Sequence, residues 1–267
     1  MASAFTRSAS GLGWVWPCAL ACALSLPDAS SLARAQDNSG APAAAPGPAT
    51  TATPAAAAPF RPEPPVHSYV AIRRLESTND RHKKEAWLIA RTELHEDGTF
   101  VWQVLEEGGS ELIRKRVLRE ALEKESQVHR DGRARRGGLT VENYVFSQPS
   151  PAEGGLRVGL EPRRKEDLLV RGELLMSTEG ELLRVEGDLV KRPSFWTKAV
   201  HLVRHYGRVE GTHVPVRLDM VAQVRLVGTS RFSTTYKYLE INGRPVQDVA
   251  RDTAILTRAA GARGPAQ

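Results

Sequence analysis

The sequence predicts a mainly β protein with few helices, built on one large antiparallel sheet. Apolar and polar residues alternate through most of residues 182–243, and this period of two is typical of half-buried strands. Asp97-Gly98 and Asn242-Gly243 are strong signals for turns between antiparallel strands. Roughly ten or eleven strands are predicted in all, and a sheet of that size must curl or close on itself.

The first 35 residues predict a secretory leader. Arg7 provides a positive start, an apolar run follows at residues 12–26, and Ala33-Arg34-Ala35 fits a small-x-small cleavage site. The run is short and broken by Pro17, so we expect it to be removed and not to remain as a transmembrane helix. The mature chain is therefore expected in the periplasm.

An alternative interpretation is that the chain is a lipoprotein tethered to a membrane. Ala19-Leu20-Ala21-Cys22 is an imperfect lipoprotein processing signal, because Ala19 stands where a larger aliphatic residue is usual, and acylation of Cys22 would anchor the chain. Cys18 and Cys22 are the two cysteines of the sequence. The folded domain is thus predicted to hold neither a disulfide nor a thiol nucleophile.

Composition divides the rest of the chain into three parts. Residues 36–65 are rich in Ala, Pro, Thr and Gly, which indicates a disordered linker. Residues 66–246 are predicted as one β domain, long enough to bury roughly 70% of its unfolded surface. Residues 247–267 lose the strand pattern and are predicted as a low-complexity tail.

The first half of the domain alternates strands with turns and one helix. A polar turn is expected at residues 77–80 and a short helical turn at 139–144. One amphipathic helix is predicted at about residues 110–125, where the apolar stripe of Ile113, Val117 and Ala121 should lie on the sheet as a lid. The strands predicted before residue 182 lie at 68–75, 85–94, 99–105, 144–147, 155–162 and 168–176.

The formal net charge of +6 is spread mostly over strands that also carry acids. The densest basic segment is HRDGRARRGG, with Arg130, Arg133, Arg135 and Arg136. It is interpreted either as a solvated loop or as a contact for anionic lipid headgroups at a membrane surface. No nucleic-acid motif accompanies it, so no nucleic-acid partner is expected.

The motifs of common enzyme and metal sites are missing from the sequence. It has no Gly-x-Ser-x-Gly, no glycine-rich phosphate loop and no His-Glu-x-x-His. His201 and His205 fall in a predicted strand, where four residues span about 13 Å, too far for one metal ion. We therefore expect no metal, no cofactor and no enzymatic activity, with a site assembled from distant residues as an alternative.

Large side chains on or beside the strands are the candidates for an apolar binding surface. They are interpreted either as core or as the lining and rim of a cavity. Phe195 and Trp196 follow Pro193 in a connection between strands, where they could plug the core or form a rim. The predicted cavity and rim residues are Trp87, Phe100, Trp102, Val185, Leu189, Phe195, Trp196 and Tyr206.

The sequence resembles exported proteins of the outer-membrane lipoprotein-sorting superfamily, of LolA, LolB and RseB type. The resemblance covers about residues 69–243 and is carried by GELLMSTEGELLRVEG, by the Pro-Ser-Phe-Trp segment and by the strand pattern that follows. It implies a strongly curved, incompletely closed antiparallel β-barrel with a helical lid over an apolar concavity that receives acyl chains.

Two functions follow as expectations from the strand pattern and the resemblance. The first is a periplasmic, non-enzymatic protein that binds a lipid or the acyl chain of a lipoprotein, with a role in lipoprotein sorting. The second is an envelope sensor module that acts through a protein partner. An enzyme with a dispersed site is the less favoured alternative.

Overall fold

The computed structural model describes residues 59, 65–193, 197–226 and 228–247. Strands account for 58% of these residues, and one helix of 20 residues accompanies them. The leader predicted at 1–35, most of the linker at 36–65 and the tail from residue 248 lie outside the described residues.

All strands of the described residues belong to one antiparallel sheet. The helix, α1, covers residues 111–130, and a 3₁₀ turn follows at Arg133–Gly137. The strands are β1 (Tyr69–Asn79), β2 (Lys84–Leu94), β3 (Phe100–Gly109), β4 (Tyr144–Phe146), β5 (Ser150–Ala152), β6 (Gly155–Pro162), β7 (Val170–Met176), β8 (Leu182–Leu189), β9 (Thr197–Val209), β10 (Thr212–Val224), β11 (Gly228–Ile241) and β12 (Arg244–Pro245).

The strand order makes the sheet an incomplete barrel. Its order is β3-β2-β1-β11-β10-β9-β8-β7-β6-β4, with β12 added to β11 and β5 added to β6. Hydrogen bonds do not close the sheet, and the helix lies over it, so the predicted mainly β, curved and incompletely closed barrel with a helical lid is confirmed.

Two glycines face each other where β7 pairs with β8. Gly172 and Gly187 are paired across the two strands. A Cβ atom added to Gly172 would overlap the carbonyl oxygen of Glu186, and one added to Gly187 would overlap the carbonyl oxygen of Arg171. Only glycine permits this close approach of two backbones, which is one way that a sheet turns a corner.

Helix α1 contains a π-helical segment, Arg114–Arg119, between α-helical turns. The i→i+5 bonding of a π-helix brings residues five positions apart onto neighbouring turns. Arg114 and Arg119 have this spacing, and both bind the Glu107 carboxylate of β3, Arg114 Nη1 at 2.7 Å and Arg119 Nη2 at 2.9 Å. The hydrogen bond from Arg119 is the main cause that lowers the pKa of Glu107. Glu107 therefore anchors the start of the helix to an edge strand.

Several predicted boundaries were wrong. β1 runs through Asn79, where a polar turn was predicted, because Ser77 Oγ donates to the Arg231 carbonyl and Asn79 Nδ2 donates to Ser230 Oγ. β3 continues to Gly109, and the helix continues to Arg130. The short helical turn predicted at residues 139–144 is present in part, because the Tyr144 N–H donates to the Thr140 carbonyl oxygen at 2.9 Å before β4 begins.

Candidate ligand-binding site

The inner face of the sheet is an apolar surface that continues across eight strands. Its central row is defined by direct cross-strand pairs, from β2 through β1, β11, β10, β9, β8 and β7 to β6. Each side chain in this row is at most 1% exposed, so the row is sealed from solvent. Its members are Leu88, Leu75, Thr234, Leu218, Arg204, Val185, Leu174 and Val158.

Helix α1 lies over the β1, β2 and β3 part of this face. The predicted lid residues Ile113, Val117 and Ala121 are buried, at 8%, 8% and 3% exposure. Leu118 and Leu122 on the same stripe are fully buried and share one apolar cluster with the central row. The helix therefore occupies apolar surface that would otherwise be free for a ligand.

One ion pair lies within this otherwise apolar contact. Glu125 continues the buried stripe of the helix, one turn beyond Ala121, and its carboxylate accepts a 2.7 Å hydrogen bond from Arg73 Nη1 of β1. The two side chains are 5% and 1% exposed. Burial disfavours the charge of Arg73, but the Glu125 carboxylate raises its pKa above the ordinary value.

Tyrosines surround this ion pair on the inner face. The Arg73 guanidinium lies 4.6 Å from the centre of the Tyr236 ring, and Arg204 also acts electrostatically on Tyr236. Burial raises the pKa values of Tyr69, Tyr236 and Tyr238. These phenols stay protonated at neutral pH, so neutral hydroxyl groups surround the Arg73–Glu125 pair.

The predicted aromatic and apolar site residues divide between the two faces of the sheet. Phe100 is 3% exposed and stacks on His129 with ring centres 5.4 Å apart. Trp102 is partly buried and packs against both apolar clusters of the core. Trp87 lies on the outer face, opposite Glu76, with the Arg74 guanidinium 5.2 Å from its ring centre. Trp87 therefore does not line the concave side, contrary to expectation.

Three further predicted residues, Val185, Leu189 and Tyr206, fall on the half of the sheet away from the helix. Val185 is fully buried in the central row, and Leu189 packs partly buried against the same cluster. Tyr206 is partly buried and stacks on His213 with ring centres 5.4 Å apart. Phe195 and Trp196 lie outside the described residues.

The sequence analysis missed three buried charged residues, Arg73 and Arg204 of the sheet and Glu125 of the helix. The alternation of the strands contains a signal for the two arginines. Arg73 follows Tyr69 and Ala71 at every second position of β1, and Arg204 follows Val200 and Leu202 in the same way on β9. A charge at an inward position marks a buried polar site.

A pocket lies mainly on the outer side of β1, β10 and β11. It has a volume of about 280 Å³, and its charged lining residues include Arg217, Asp219 and Glu76. Arg217 Nε donates to Asp219 at 2.6 Å. Paired charges of this kind are typical of a solvated sheet face, so the inner face is the stronger candidate.

The described residues contain no cluster of three or more His, Cys, Asp and Glu side chains suited to a metal ion. His201 and His205 lie in β9, and His201 Nδ1 is 3.1 Å from Asp188 Oδ1. Within the described part of the chain, no helix is long and apolar enough to cross a membrane.

Comparisons with known proteins find only weak similarity to solved structures. No protein-family model matches the chain, and no curated protein matches it. A crystal structure of a DUF1329 family protein from Desulfovibrio piger has 9% sequence identity and a TM-score of 0.32, over 72% of this chain and 92% of that protein. Similarity at this level establishes neither a family nor a function for this chain.

Proposed function

We propose that this chain is a non-enzymatic binding protein that holds a lipid, or the acyl chain of a lipoprotein, against the inner face of its sheet. The supporting observation is the buried row across eight strands, of which the part on β1 and β2 lies under the apolar stripe of one helix. A helix on an unclosed sheet is a cover that can be displaced without breaking the strand ladder.

The helix and an acyl chain bury apolar surface of similar energy. Burial of the four large apolar side chains Ile113, Val117, Leu118 and Leu122 stabilises the covered state by about 6 to 12 kcal/mol, at about 1.5 to 3 kcal/mol each. An acyl chain of about a dozen methylenes contributes roughly 10 kcal/mol when it is buried. The apolar contribution of a bound chain can therefore offset that of the helix, and displacement of the helix additionally separates the Arg73–Glu125 pair.

The proposal places the protein outside the cytoplasm. The leader at residues 1–35 supports export to the periplasm, with Cys22 as an alternative lipid anchor. There the protein would carry acyl chains through the aqueous space between membranes, as expected for a role in lipoprotein sorting.

Native mass spectrometry of the exported protein tests the proposal. We expect a fraction of the protein to carry an added mass that organic extraction removes and identifies as a lipid. The delipidated protein should then take up a fluorescent 16-carbon fatty acid. Absence of both the added mass and the uptake would refute the proposal.

A variant pair tests the helix as the cover. Glu107→Gln weakens the ion pairs that hold Arg114 and Arg119. We expect the helix-covered state to be destabilised by about 1 kcal/mol, which corresponds to about fivefold faster probe uptake. Glu111→Gln is the matched control, because the Glu111 pair with Lys115 is 67% and 68% exposed and joins only residues of the helix. Equal uptake rates in the two variants would show that the helix does not gate the site.

A further inference from the structure

Three segments that are distant in sequence meet near the end of β8. They are residues 130–136 after the helix, residues 163–167 between β6 and β7, and residues 191–192 after β8. The pairing of Val170 with Leu189 places the last two segments at the same end of the sheet. We refer to the three segments together as the basic patch.

Ion pairs join the three segments into one surface. Asp167 Oδ2 lies 3.3 Å from Arg133 Nη2, and Asp167 Oδ1 lies 2.7 Å from Lys191 Nζ. Arg164 Nη2 donates to the carbonyl oxygen of Arg136 at 3.3 Å, and Arg164 Nε lies 3.3 Å from Glu166. Acids within the patch thus hold the basic loops together.

The basic patch contains the excess charge of the molecule. By sequence it has nine basic and three acidic residues, a formal charge of +6, and the whole chain also has a net charge of +6. The rest of the chain is therefore neutral overall. When the flanking acids Glu123 and Glu142 are counted as well, the charge of this surface is still +4.

We propose that the basic patch is a docking surface for an anionic lipid bilayer. Each Lys or Arg near such a surface contributes about 1 kcal/mol of attraction, and the attraction extends over a Debye length of about 8 Å at physiological salt. A flat charged surface acts on the net charge of the patch, so the interspersed acids do not prevent binding.

A bilayer fits these residues better than a nucleic acid does. The described residues of the basic patch include no aromatic side chain on which a base could stack. Lys165 and Arg192 are exposed and have free reach toward a surface, whereas Arg163 is held by the carbonyl oxygens of Val141 and Tyr144. This inference goes beyond the proposed function, because surface docking does not require an acyl chain in the interior.

Vesicle co-sedimentation of the full chain tests the docking surface. We expect binding to vesicles of 30% phosphatidylglycerol in phosphatidylcholine at 50 mM salt, loss of most binding at 500 mM salt, and no binding to pure phosphatidylcholine. The double variant Lys165→Gln, Arg192→Gln should bind about 30-fold more weakly, at the attraction of about 1 kcal/mol per basic residue.

The matched control is Lys84→Gln, Arg244→Gln, which removes two exposed basic residues from other strands. It should bind the anionic vesicles within about twofold of the unmodified chain. The proposal is overturned if both double variants weaken binding equally, if neutral vesicles bind as well as anionic ones, or if a short DNA duplex binds more tightly than the vesicles. Fatty-acid uptake should be equal in the two double variants, so failure of docking is distinguishable from failure of acyl binding.

Discussion

Arg73 and Glu125 fix helix α1 at one position on the sheet. Apolar side chains can shift past one another at modest cost, whereas a buried charge needs its partner at hydrogen-bond distance. The pair joins residues 52 positions apart and is almost fully buried. At the scale of single residues, it determines which part of the inner face the helix covers.

Glu125→Gln should destabilise the protein by about 3 to 5 kcal/mol, because the Arg73 charge would stay buried without a counter-charge. Urea unfolding followed by tryptophan fluorescence measures this change. Glu123→Gln is the control, since Glu123 is 43% exposed and its oxygen lies 3.9 Å from Arg130. A change within about 0.5 kcal/mol is expected there. Similar losses in both variants would contradict a special role for the buried pair.

The free energy of unfolding should decrease as the pH falls below about 6.5, the ordinary pKa of histidine, in part because of His129. Burial is the main cause that lowers the pKa of His129, against the opposing effect of Glu125. The unfolded chain therefore binds the proton more readily, so this contribution is complete above about pH 6.5 and is lost as pH falls through the folded pKa. Thermal unfolding from pH 8 to pH 5 should show a smaller decrease for His129→Gln. An unchanged pH profile in that variant would exclude the contribution.

The sequence indicates which residues point inward but not what they meet there. Arg73 and Arg204 fall at inward positions of alternating strands, which is visible in the printed sequence. The partner of Arg73 comes from a remote element, so the ion pair with Glu125 could not be predicted. Trp87 shows that a large aromatic ring does not by itself predict an inward position. Its neighbours Ala86 and Leu88 are the buried positions of β2, and the alternation rather than the size of the ring decides its face.

At the scale of elements, the alternation predicted most strands because a half-buried sheet requires it. It failed where side-chain hydrogen bonds replace apolar contact, as at Ser77 and Asn79 in β1. The helix extends past its predicted end at residue 125 because Glu125 and Ser126 both bond to the sheet, Ser126 through the carbonyl oxygen of Phe100. Tertiary contacts of this kind leave no local pattern.

Gly187→Ala should strongly destabilise or unfold the domain, by at least about 3 kcal/mol. The added methyl group would overlap the backbone of Arg171, which cannot move without separating β7 from β8. Gly159→Ala in β6 is the control, because its Cβ would meet the Ser147 side chain at 3.1 Å and a small shift relieves the contact. Circular dichroism during heating measures both. A mild effect at Gly187 would show that the close approach of β7 and β8 does not require glycine.

At the scale of the whole molecule, the order of the strands makes folding slow. β1 pairs with β11, and Asn79 and Ser230, which are hydrogen-bonded, lie 151 positions apart. Closing so long a loop costs entropy before any contact forms. The sheet therefore cannot grow by local hairpins alone.

Refolding from urea, followed by stopped-flow tryptophan fluorescence, should have a main phase on the order of seconds. Addition of a prolyl isomerase separates this phase from proline isomerisation, which takes tens of seconds. The main phase should not respond to the isomerase. A main phase in the millisecond range would show that the long-range pairing does not limit the rate.

β3 and β4 end the ordered path of strands without bonding to each other. A barrel closed by a full ring of hydrogen bonds has a circumference set by its strand number and stagger. Here the circumference is adjustable, since small changes of twist between neighbours can widen or narrow the enclosure while every ladder stays intact. Under the proposed function, ligands of different cross-section could therefore bind to the same protein.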